Sequence, residues 1–593
     1  MLRPTRPWVL AAPRAIPPDL VPVADRLGLS QRLLGLLVAR GCTRPQDLES
    51  FLGDPLAALH DPALLPDAAP FAARIASARE HRERVMVYGD FDADGLSALA
   101  VMVLALRAYG VEVEPYAPSR FTDGHGLSSA AVDVAAESGC TVIVTVDCGT
   151  SSADEIALAA SRGIDVLITD HHHVPERPPG AAALVNPHRA DSVYPDPRLT
   201  GAGVAFKVAQ LLLGDGADGA AGPGSWIDLA DLATIGTISD VAPLLGENRA
   251  IVRLGLEQFR RGPRPGLAAL LDAAGLAPAR VDADAIGYTI APRLNAAGRI
   301  GEVTLAARLL LATDTREAAQ LAAQLEEANR TRRDLTTTAL AEARDAVGDP
   351  GDAPAVVVAG PWPIGLIGLV AGRLAEQHRR PAVVFSTEGE PWRGSARSPG
   401  GGLDLARAFG ACERHFVRFG GHAEAAGADL LPGRLEAFRA DFLALAASAP
   451  AVPADPELRI DLAVPVSDVD YDLHRDLARL EPVGPGNPAP QVAVTGATVT
   501  RVKPVSNGHV QLTVSKGREV LDVIAFGRGD LAQSVSPGDR LDIVARIGSR
   551  TFGGYESLQL ELIDAATAAA PVSPGVTPPG LRTADAAAGT GAG

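Results

Sequence analysis

The stretch VMVYGDFDADGLSALAVMVLALRAYG, residues 85–110, decides the fold. Val85 to Tyr88 is a short β-branched and aromatic run that reads as a strand, and Leu96 to Leu106 reads as an apolar helix. Between them Asp90, Asp92 and Asp94 alternate with other residues and close on Gly95. A strand that passes through a tight carboxylate turn into a helix is half of a βαβ unit. The D-x-D-x-D-G order also matches the first half of a calcium-binding EF-hand loop. That reading fails twice: the bidentate Glu expected at the twelfth position is Val101, and a strand rather than a helix comes before. A solvated acidic turn is the remaining bland alternative.

Working outward, the same pattern recurs. VEVEPYA precedes SSAAVDVAAESG, TVIVTVD precedes ADEIALAASRG, and DVLITDH closes the series. Short apolar runs alternating with helical ones predict a parallel sheet covered on both faces. TVIVTVDCG ends its strand in Asp147, and DVLITDHHH ends in Asp170, His171, His172 and His173. In a parallel sheet these C-terminal ends open on one edge, where open α/β sheets bind ligands. Carboxylates crowded there repel unless cations offset them. Carboxylates with imidazoles suit Mg²⁺ or Mn²⁺, and the imidazoles tip the preference towards Mn²⁺. DLATIGTISDVAPL adds Asp240, with Asp231 as a weaker competitor, on a buried helix-loop feeding the same edge. The ligands suffice for two metals, an arrangement that activates water and stabilises both oxygens of a phosphoester displacement.

A polyanionic substrate also needs fixed cations. Arg120 in APSRFTDGHGLS, Arg293 and Arg299 in APRLNAAGRI, and Arg397 in RGSARSPGG are candidates. Each reads as part of a loop rich in Gly, Asn or Ser, whose N–H groups can join Arg around a phosphate. In FGGHAEAAG a Gly420-Gly421 turn presents His422 before what reads as a small-residue helix start. Together these segments predict a phosphate-facing wall.

The 593 residues carry 54 basic and 71 acidic side chains, a formal charge of −17. Hydrophobic content of 47% excludes wholesale disorder. The longest apolar run, Leu99 to Leu106, is broken by Arg107 and is too short to span a bilayer. The N-terminus is too proline-rich for a signal peptide, so a soluble, cytoplasmic protein is expected. Cys42, Cys140, Cys148 and Cys412 form no CxxC pair, which fits reduced thiols. The acidic balance argues against diffuse attraction to nucleic acid, but not against a local groove. Residues 373–418 hold eight arginines against five acidic residues.

The expected organisation is a helical segment at 1–70, an α/β domain at 71–255, and a helical connector at 256–348 ending in one long helix. A second α/β domain follows at 349–450, then a small β-barrel at 451–566 and a disordered tail at 567–593. Phe526, Phe552 and Tyr555 are the barrel's candidates for base stacking, and each could equally be core.

On YGDFDADG, VTVDCG, Asp170-His171-His172 and GTISDVAPL, followed by GSARSPGG, FGGHAEAAG and GPGNPAP (484–490), the chain resembles the DHH phosphoesterase superfamily. Within it the chain is similar to the bacterial RecJ family of single-strand-specific exonucleases. The resemblance implies an α/β fold: a parallel-sheet DHH domain, a long helix, a DHH-associated second α/β domain and a C-terminal OB-fold. It implies metal ligands Asp92, Asp94, Asp147, His171 and Asp240, with Asp90 and Asp170 as weaker ligands or groups that orient the others. His172 would face the scissile phosphate and stabilise its developing charge. Arg120, Ser395 and Arg397 would hold a terminal 5′-phosphate, and Arg299 would reach the backbone. Arg293, Asn295 and His422 are further substrate-binding candidates on the residues alone.

The implied activity is 5′→3′ hydrolysis of single-stranded DNA to 5′-mononucleotides with two divalent cations, Mn²⁺ or Mg²⁺, in DNA repair and recombination. The implied partners are single-stranded DNA, a single-strand-binding protein and a RecQ-type helicase, with no membrane. One position departs from the family pattern: its usual Trp-His-Pro-Gly run is here Trp362-Pro363-Ile364-Gly365. Two alternatives are a DHH phosphodiesterase of short oligonucleotides or cyclic dinucleotides, and a non-catalytic single-strand-binding replication scaffold. The residues after Pro450 disfavour the first, and the intact metal motifs disfavour the second.

Overall fold

The computed structural model describes residues 2–121, 123–124, 126–214, 225–400, 402–450, 457–517, 519–552, 555–568 and 581–583. It divides into two units. One comprises Asp61–Ala242 and Leu254–Pro453, and the other comprises Met1–His60, Pro243–Arg253 and Ala454–Gly593.

The first of these units holds two sheets. In one, strands Glu112–Tyr116, Arg84–Tyr88, Cys140–Val146, Asp165–Thr169 and Ala183–Val185 lie side by side in that order, all parallel. The chain starts in the second of these strands, moves to one side and then jumps to the other. The strand order therefore reverses between Arg84–Tyr88 and Cys140–Val146, the crevice where open α/β sheets take ligands. Val85 to Tyr88 and Val142 to Val144 are fully buried, which explains their unbroken apolar run. Helix Ala93–Tyr109 is buried over most of its circumference because helices Gly201–Leu213 and Ala230–Ser239 pack on it.

The second sheet is mixed, in the order Phe416–Gly421, Ala425–Leu430, Trp392–Arg397, Ala382–Ser386, Val356–Gly360. Only its last two strands are parallel. Ala425–Leu430, expected to start a helix, is a strand paired on both sides. Two ladders of backbone hydrogen bonds override the helical preference of its alanines. The expected long connecting helix is Thr315–Val347, 33 residues capped by the Asp314 carboxylate on the Glu317 N–H.

In the other unit, strands Val492–Val505, His509–Lys516, Glu519–Ala525, Tyr555–Thr567 and Arg540–Phe552 close a five-stranded barrel. Closure comes from Val492–Val505 pairing with both His509–Lys516 and Arg540–Phe552. Val510, Leu512, Val514, Val523 and Ile543 fill its interior, and Leu33, Leu34 and Leu37 of helix Gln31–Ala39 join the same core. Phe526 and Tyr555 are 56% and 82% exposed, so neither is core; the Phe552 side chain lies outside the described residues. Arg249, fully buried, explains why Pro243–Arg253 belongs here. Its guanidinium donates to the carbonyls of Phe51, Leu480, Glu481 and Pro482 at 2.7–3.1 Å and lies 3.7 Å from the Phe51 ring centre.

Two further expectations change at the chain ends. Residues 1–70, read as helical, contain the strand Trp8–Leu10, paired in parallel with Leu458–Ile460. Prolines at 4, 7 and 13 exclude a helix there, and Trp-Val-Leu favours a strand. In the tail read as disordered, Leu581–Thr583 pairs in parallel with Trp8–Leu10. Residues 569–580 and 584–593 lie outside the described residues. No described helix is long and apolar enough to cross a membrane.

Candidate metal centre and phosphate wall

The carboxylate turn is held by its own helix. Asp92 caps Ala93–Tyr109, its Oδ1 accepting the N–H groups of Asp94 and Gly95 at 3.0 Å each. The Ala93 N–H, the next unpaired donor, goes to Asn295 Oδ1 at 2.8 Å. Asp94 sits on the start of helix Gly201–Leu213 and accepts from Gly201 N at 2.8 Å, Ala202 N at 2.9 Å and the Thr200 hydroxyl at 3.2 Å. This approach demands glycine: a Cβ on Gly201 would lie 2.4 Å from Asp147, and one on Gly236 would lie 2.3 Å from Asp94 Oδ1.

Asp147 follows its strand in a left-handed conformation, φ +61°, and its N–H donates to the Thr169 carbonyl at 2.9 Å. Its Oδ1 is buried and accepts no hydrogen bond. His171 Nε2 stands 3.0 Å from that oxygen and 3.9 Å from Oδ2 of both Asp94 and Asp240. His172 Nδ1 donates to Asp170 Oδ1 at 2.8 Å, which leaves Nε2 as its outward atom. Asp170 also accepts the N–H groups of His171, His172 and Thr150 at 2.8–3.1 Å.

The electrostatics follow from this crowding. Burial, then Asp240 and Asp92, push the Asp94 carboxyl well above the usual range. Burial, then Asp94 and Asp92, do the same to Asp147. Asp92 is raised by burial and Asp90, and Asp240 is raised to about 6 by burial and Asp92. Burial pushes His171 down to about 4, so its imidazole is neutral and able to bind a metal. The hydrogen bond to Asp170 outweighs burial and lifts His172 to about 9. Burial would raise Asp170, but the hydrogen bond and charge of His172 outweigh it and hold that carboxyl well below its ordinary value.

These residues fit divalent cations. Asp94, His171 and Asp240 form one group, and Asp90, Asp92 and Asp147 another, each with ligand atoms within 4.8 Å of one another. Asp147 also groups with His171 and His172, so it adjoins both. The orphaned, buried Asp147 Oδ1 asks for a cation rather than a proton donor. Asp231, the weaker competitor, is taken by Arg264, which meets its two oxygens at 2.7 and 2.8 Å.

Beside this edge stands a group of arginines. The Arg120 guanidinium lies 4.0 Å from the Phe91 ring centre, and its buried Nε has no hydrogen-bond partner. Arg397 Nη1 donates to Ser395 Oγ at 3.1 Å and to the Ala396 carbonyl at 2.8 Å. Helix Ile367–His378 begins against this pair, since a Cβ on Gly368 would lie 3.2 Å from Ser395 Oγ. Arg299 donates to the Gly365 carbonyl at 3.1 Å. Burial first, then Arg120, Arg332 and Arg397, push Arg299 down to about 9. Asp92 acts on Arg299 and Arg120 in the opposite sense, which places wall and carboxylates in one electrostatic field. Among the described residues, none of Arg120, Arg299, Arg332 and Arg397 closes an ion pair with a carboxylate.

A fourth arginine, Arg332, stands in none of the sequence motifs. It lies on the long helix, bonded to Asn329 Oδ1 at 3.0 Å, with a buried Nε that has no partner. A signal existed: the buried stripe Ala318, Leu321, Ala322, Leu325 runs on into Asn329 and Arg332, polar where the period asks for apolar.

The loop readings are corrected. Arg293, Asn295 and Arg299 lie in helix Ala291–Ile300, and Ser395 and Arg397 in strand Trp392–Arg397. Packing against the long helix keeps the Asn-Ala-Ala-Gly run helical. Arg293 is committed to Glu326 at 2.6 Å and the Thr289 carbonyl at 2.7 Å. His422 is exposed in the turn before Ala425, which pairs with Arg397.

A parallel sheet with a carboxylate and imidazole edge, tied by a long helix to a mixed sheet with an arginine wall, is the architecture of a DHH-type protein. The family's N-terminal domain matches residues 84–237, the DHHA1 domain 354–448 and the RecJ OB domain 460–564. The chain belongs to the RecJ family. It is 34% identical to the single-stranded-DNA-specific exonuclease RecJ of Bacillus subtilis, over 92% of this chain and 69% of that one. It is 32% identical to the Dickeya dadantii RecJ, over 88% and 94%. The crystal structure of Thermus thermophilus RecJ in complex with Mn²⁺ superposes with a TM-score of 0.79 at 30% identity, covering 95% of this chain and 80% of that one.

Proposed function

We propose that this chain is a metal-dependent exonuclease that hydrolyses single-stranded DNA from its 5′ end to 5′-mononucleotides. The observation that carries the reading is the arginine group that, among the described residues, meets no carboxylate, set in the electrostatic field of the carboxylate edge. One holds phosphate and the other holds cations. Membership of the RecJ family supplies the substrate class.

Asp92, Asp94, Asp147, His171 and Asp240 hold two divalent cations, Mn²⁺ or Mg²⁺, with Asp90 as a weaker ligand. Such ions, when bound, activate a water and neutralise charge on the phosphoryl group. Asp170 fixes the His172 ring through Nδ1, so that Nε2, protonated at neutral pH, faces the scissile phosphate and stabilises its developing charge. Ser395, Arg397 and Arg120 take the terminal 5′-phosphate, with His422 at the rim, and Arg299 takes the backbone. Recognition of an end beside the cation site brings the first internal phosphodiester to reaction, which makes the products mononucleotides. Asn295 supports the site by holding Ala93 N–H, and Arg293 contributes through its pairing with Glu326.

In this reading residues 71–255 are the DHH domain, 256–348 the connector, 349–450 the DHH-associated domain and 451–566 an OB-fold carrying a strand track. Residues 1–70 and 567–593 flank them. The protein works in the cytoplasm, with a single-strand-binding protein and a RecQ-type helicase as partners. The test is digestion of a 3′-labelled, 5′-phosphorylated strand with Mn²⁺. Stepwise shortening from the 5′ end with blunt duplex spared is expected, and trimming from the 3′ end or no cleavage rejects the reading.

A further inference from the structure

Asn186 follows the sheet's last strand, Ala183–Val185, and is completely buried. It stands in none of the site's sequence motifs. A buried amide costs stability unless its polar atoms are met, and here each is. Nδ2 donates to the His172 carbonyl at 2.9 Å and to Thr150 Oγ1 at 3.3 Å, and Oδ1 accepts the His188 N–H at 2.8 Å. Turning the amide over would set Oδ1 against a carbonyl and Nδ2 against an N–H, so the network fixes its orientation. Holding the turn after Val185 needs only Oδ1. Nδ2 is spent on His172 and Thr150.

Residues 170–182 form neither helix nor strand, so no ladder fixes the peptides that carry His171 and His172. His172 is held at three atoms instead. Its N–H and its ring Nδ1 both meet Asp170 Oδ1, at 3.1 and 2.8 Å, and its carbonyl meets Asn186. Thr150 links the two partners: its N–H donates to Asp170 Oδ2 at 3.1 Å, and its hydroxyl accepts from Asn186. His172, Asp170, Thr150 and Asn186 therefore close a cycle of hydrogen bonds. The last three are at most 1% exposed, whereas the His172 side chain is 48% exposed. The cycle has one outlet, and it is the imidazole.

We propose that Asn186 is a positioning residue for the reaction: by holding the His172 carbonyl it sets where the His172 ring stands, so that Nε2 meets the scissile phosphate. The role rests on the exonuclease reading above and deepens it. Asp170 fixes the turn of the ring, but it touches only the N–H side of the peptide. Asn186 fixes the carbonyl side. An amide suits the place because the carbonyl needs a donor and the His188 N–H needs an acceptor.

The experiment is a double-mutant cycle on a 5′-phosphorylated single strand with Mn²⁺. Asn186→Ala removes the donor, and Asn186→Asp sets a carboxylate oxygen against the His172 carbonyl. Each lowers kcat about ten- to a hundredfold, the range for groups that orient others, with KM and the Mn²⁺ requirement unchanged. In a His172→Ala background no ring remains to be aimed, and either substitution changes kcat by less than about twofold. An equal loss in both backgrounds overturns the role, as does a loss carried by KM or by the Mn²⁺ requirement. Where neither Asn186 variant folds, Thr150→Val opens the same cycle at its longest bond. Its kcat falls about two- to tenfold, again only while His172 is present, and a native kcat overturns the role. A second readout needs no turnover: in Mg²⁺ the proton on His172 Nδ1, followed by NMR, exchanges faster in Asn186→Ala than in the native protein. Unchanged exchange also overturns the role. If the native protein cleaves no strand, the exonuclease reading has failed, and the proton still reports whether Asn186 holds the ring.

Discussion

The carboxylate edge and the arginine wall belong to one unit but are built in opposite ways. The edge is written in short runs: Asp90, Asp92 and Asp94 within one turn, and Asp170, His171 and His172 in succession. Each run follows a parallel strand, so the sheet alone brings them together. The wall takes one arginine from each of four separate segments: the turn at Arg120, helix Ala291–Ile300, helix Thr315–Val347 and strand Trp392–Arg397. Its members sit close only because two sheets and a long helix pack as they do. The edge is a like-charge cluster that calls for cations, and the wall is one that calls for anions. The difference teaches that a site built on strand ends survives as a local motif, whereas one built by packing does not.

The largest effect should come from the edge. Removing divalent metal with EDTA, or changing Asp147 to Ala, should lower kcat by at least about a thousandfold, since a metal contributes several kcal/mol to the transition state. Circular dichroism should stay native in Asp147→Ala, because the substitution relieves buried like-charge repulsion. Turnover within tenfold of native would break the assignment of the edge as a metal centre.

The wall should respond differently. Arg397→Ala should raise KM about ten- to a hundredfold while leaving kcat nearly intact, the loss of a charge-assisted phosphate contact. The rise should be larger for a 5′-phosphorylated than for a 5′-hydroxyl strand, and equal rises would mean that the wall does not read the end. Asn295→Ala sits between the two regions. If it supports the carboxylate turn, it weakens Mn²⁺ activation by about tenfold, within the range for groups that orient ligands, and leaves KM for DNA alone. A change confined to KM would instead make it a wall residue. The smallest effect belongs to Arg293→Ala, which should shift KM less than twofold and stability by no more than about 1 kcal/mol. An effect equal to that of Arg397→Ala would show that Arg293 leaves Glu326 to bind substrate.

The same contrast explains what was legible beforehand. Asp92, Asp147, His171 and Asp240 were legible as candidates because each stands at or just after the end of an apolar run. Asp231 could be set aside only weakly, since its partner Arg264 lies 33 residues away. Nothing in APRLNAAGRI announces that Asn295 accepts the Ala93 N–H or that Arg293 pairs with Glu326. Arg332 was hidden in a helix rich in charges. Ala425–Leu430 read as helix because pairing on both sides outweighs propensity.

By itself the sequence determined the parallel sheet, its ligand-bearing edge, the long connecting helix and the strands of the barrel. Each is encoded by a periodicity or by a turn only a few residues long. Tertiary structure alone decided which arginines meet, which polar groups are spent holding others, and that Asn186 closes on His172. Those outcomes depend on contacts between residues far apart in the chain, and burial there changes the meaning of a side chain that its neighbours in sequence cannot.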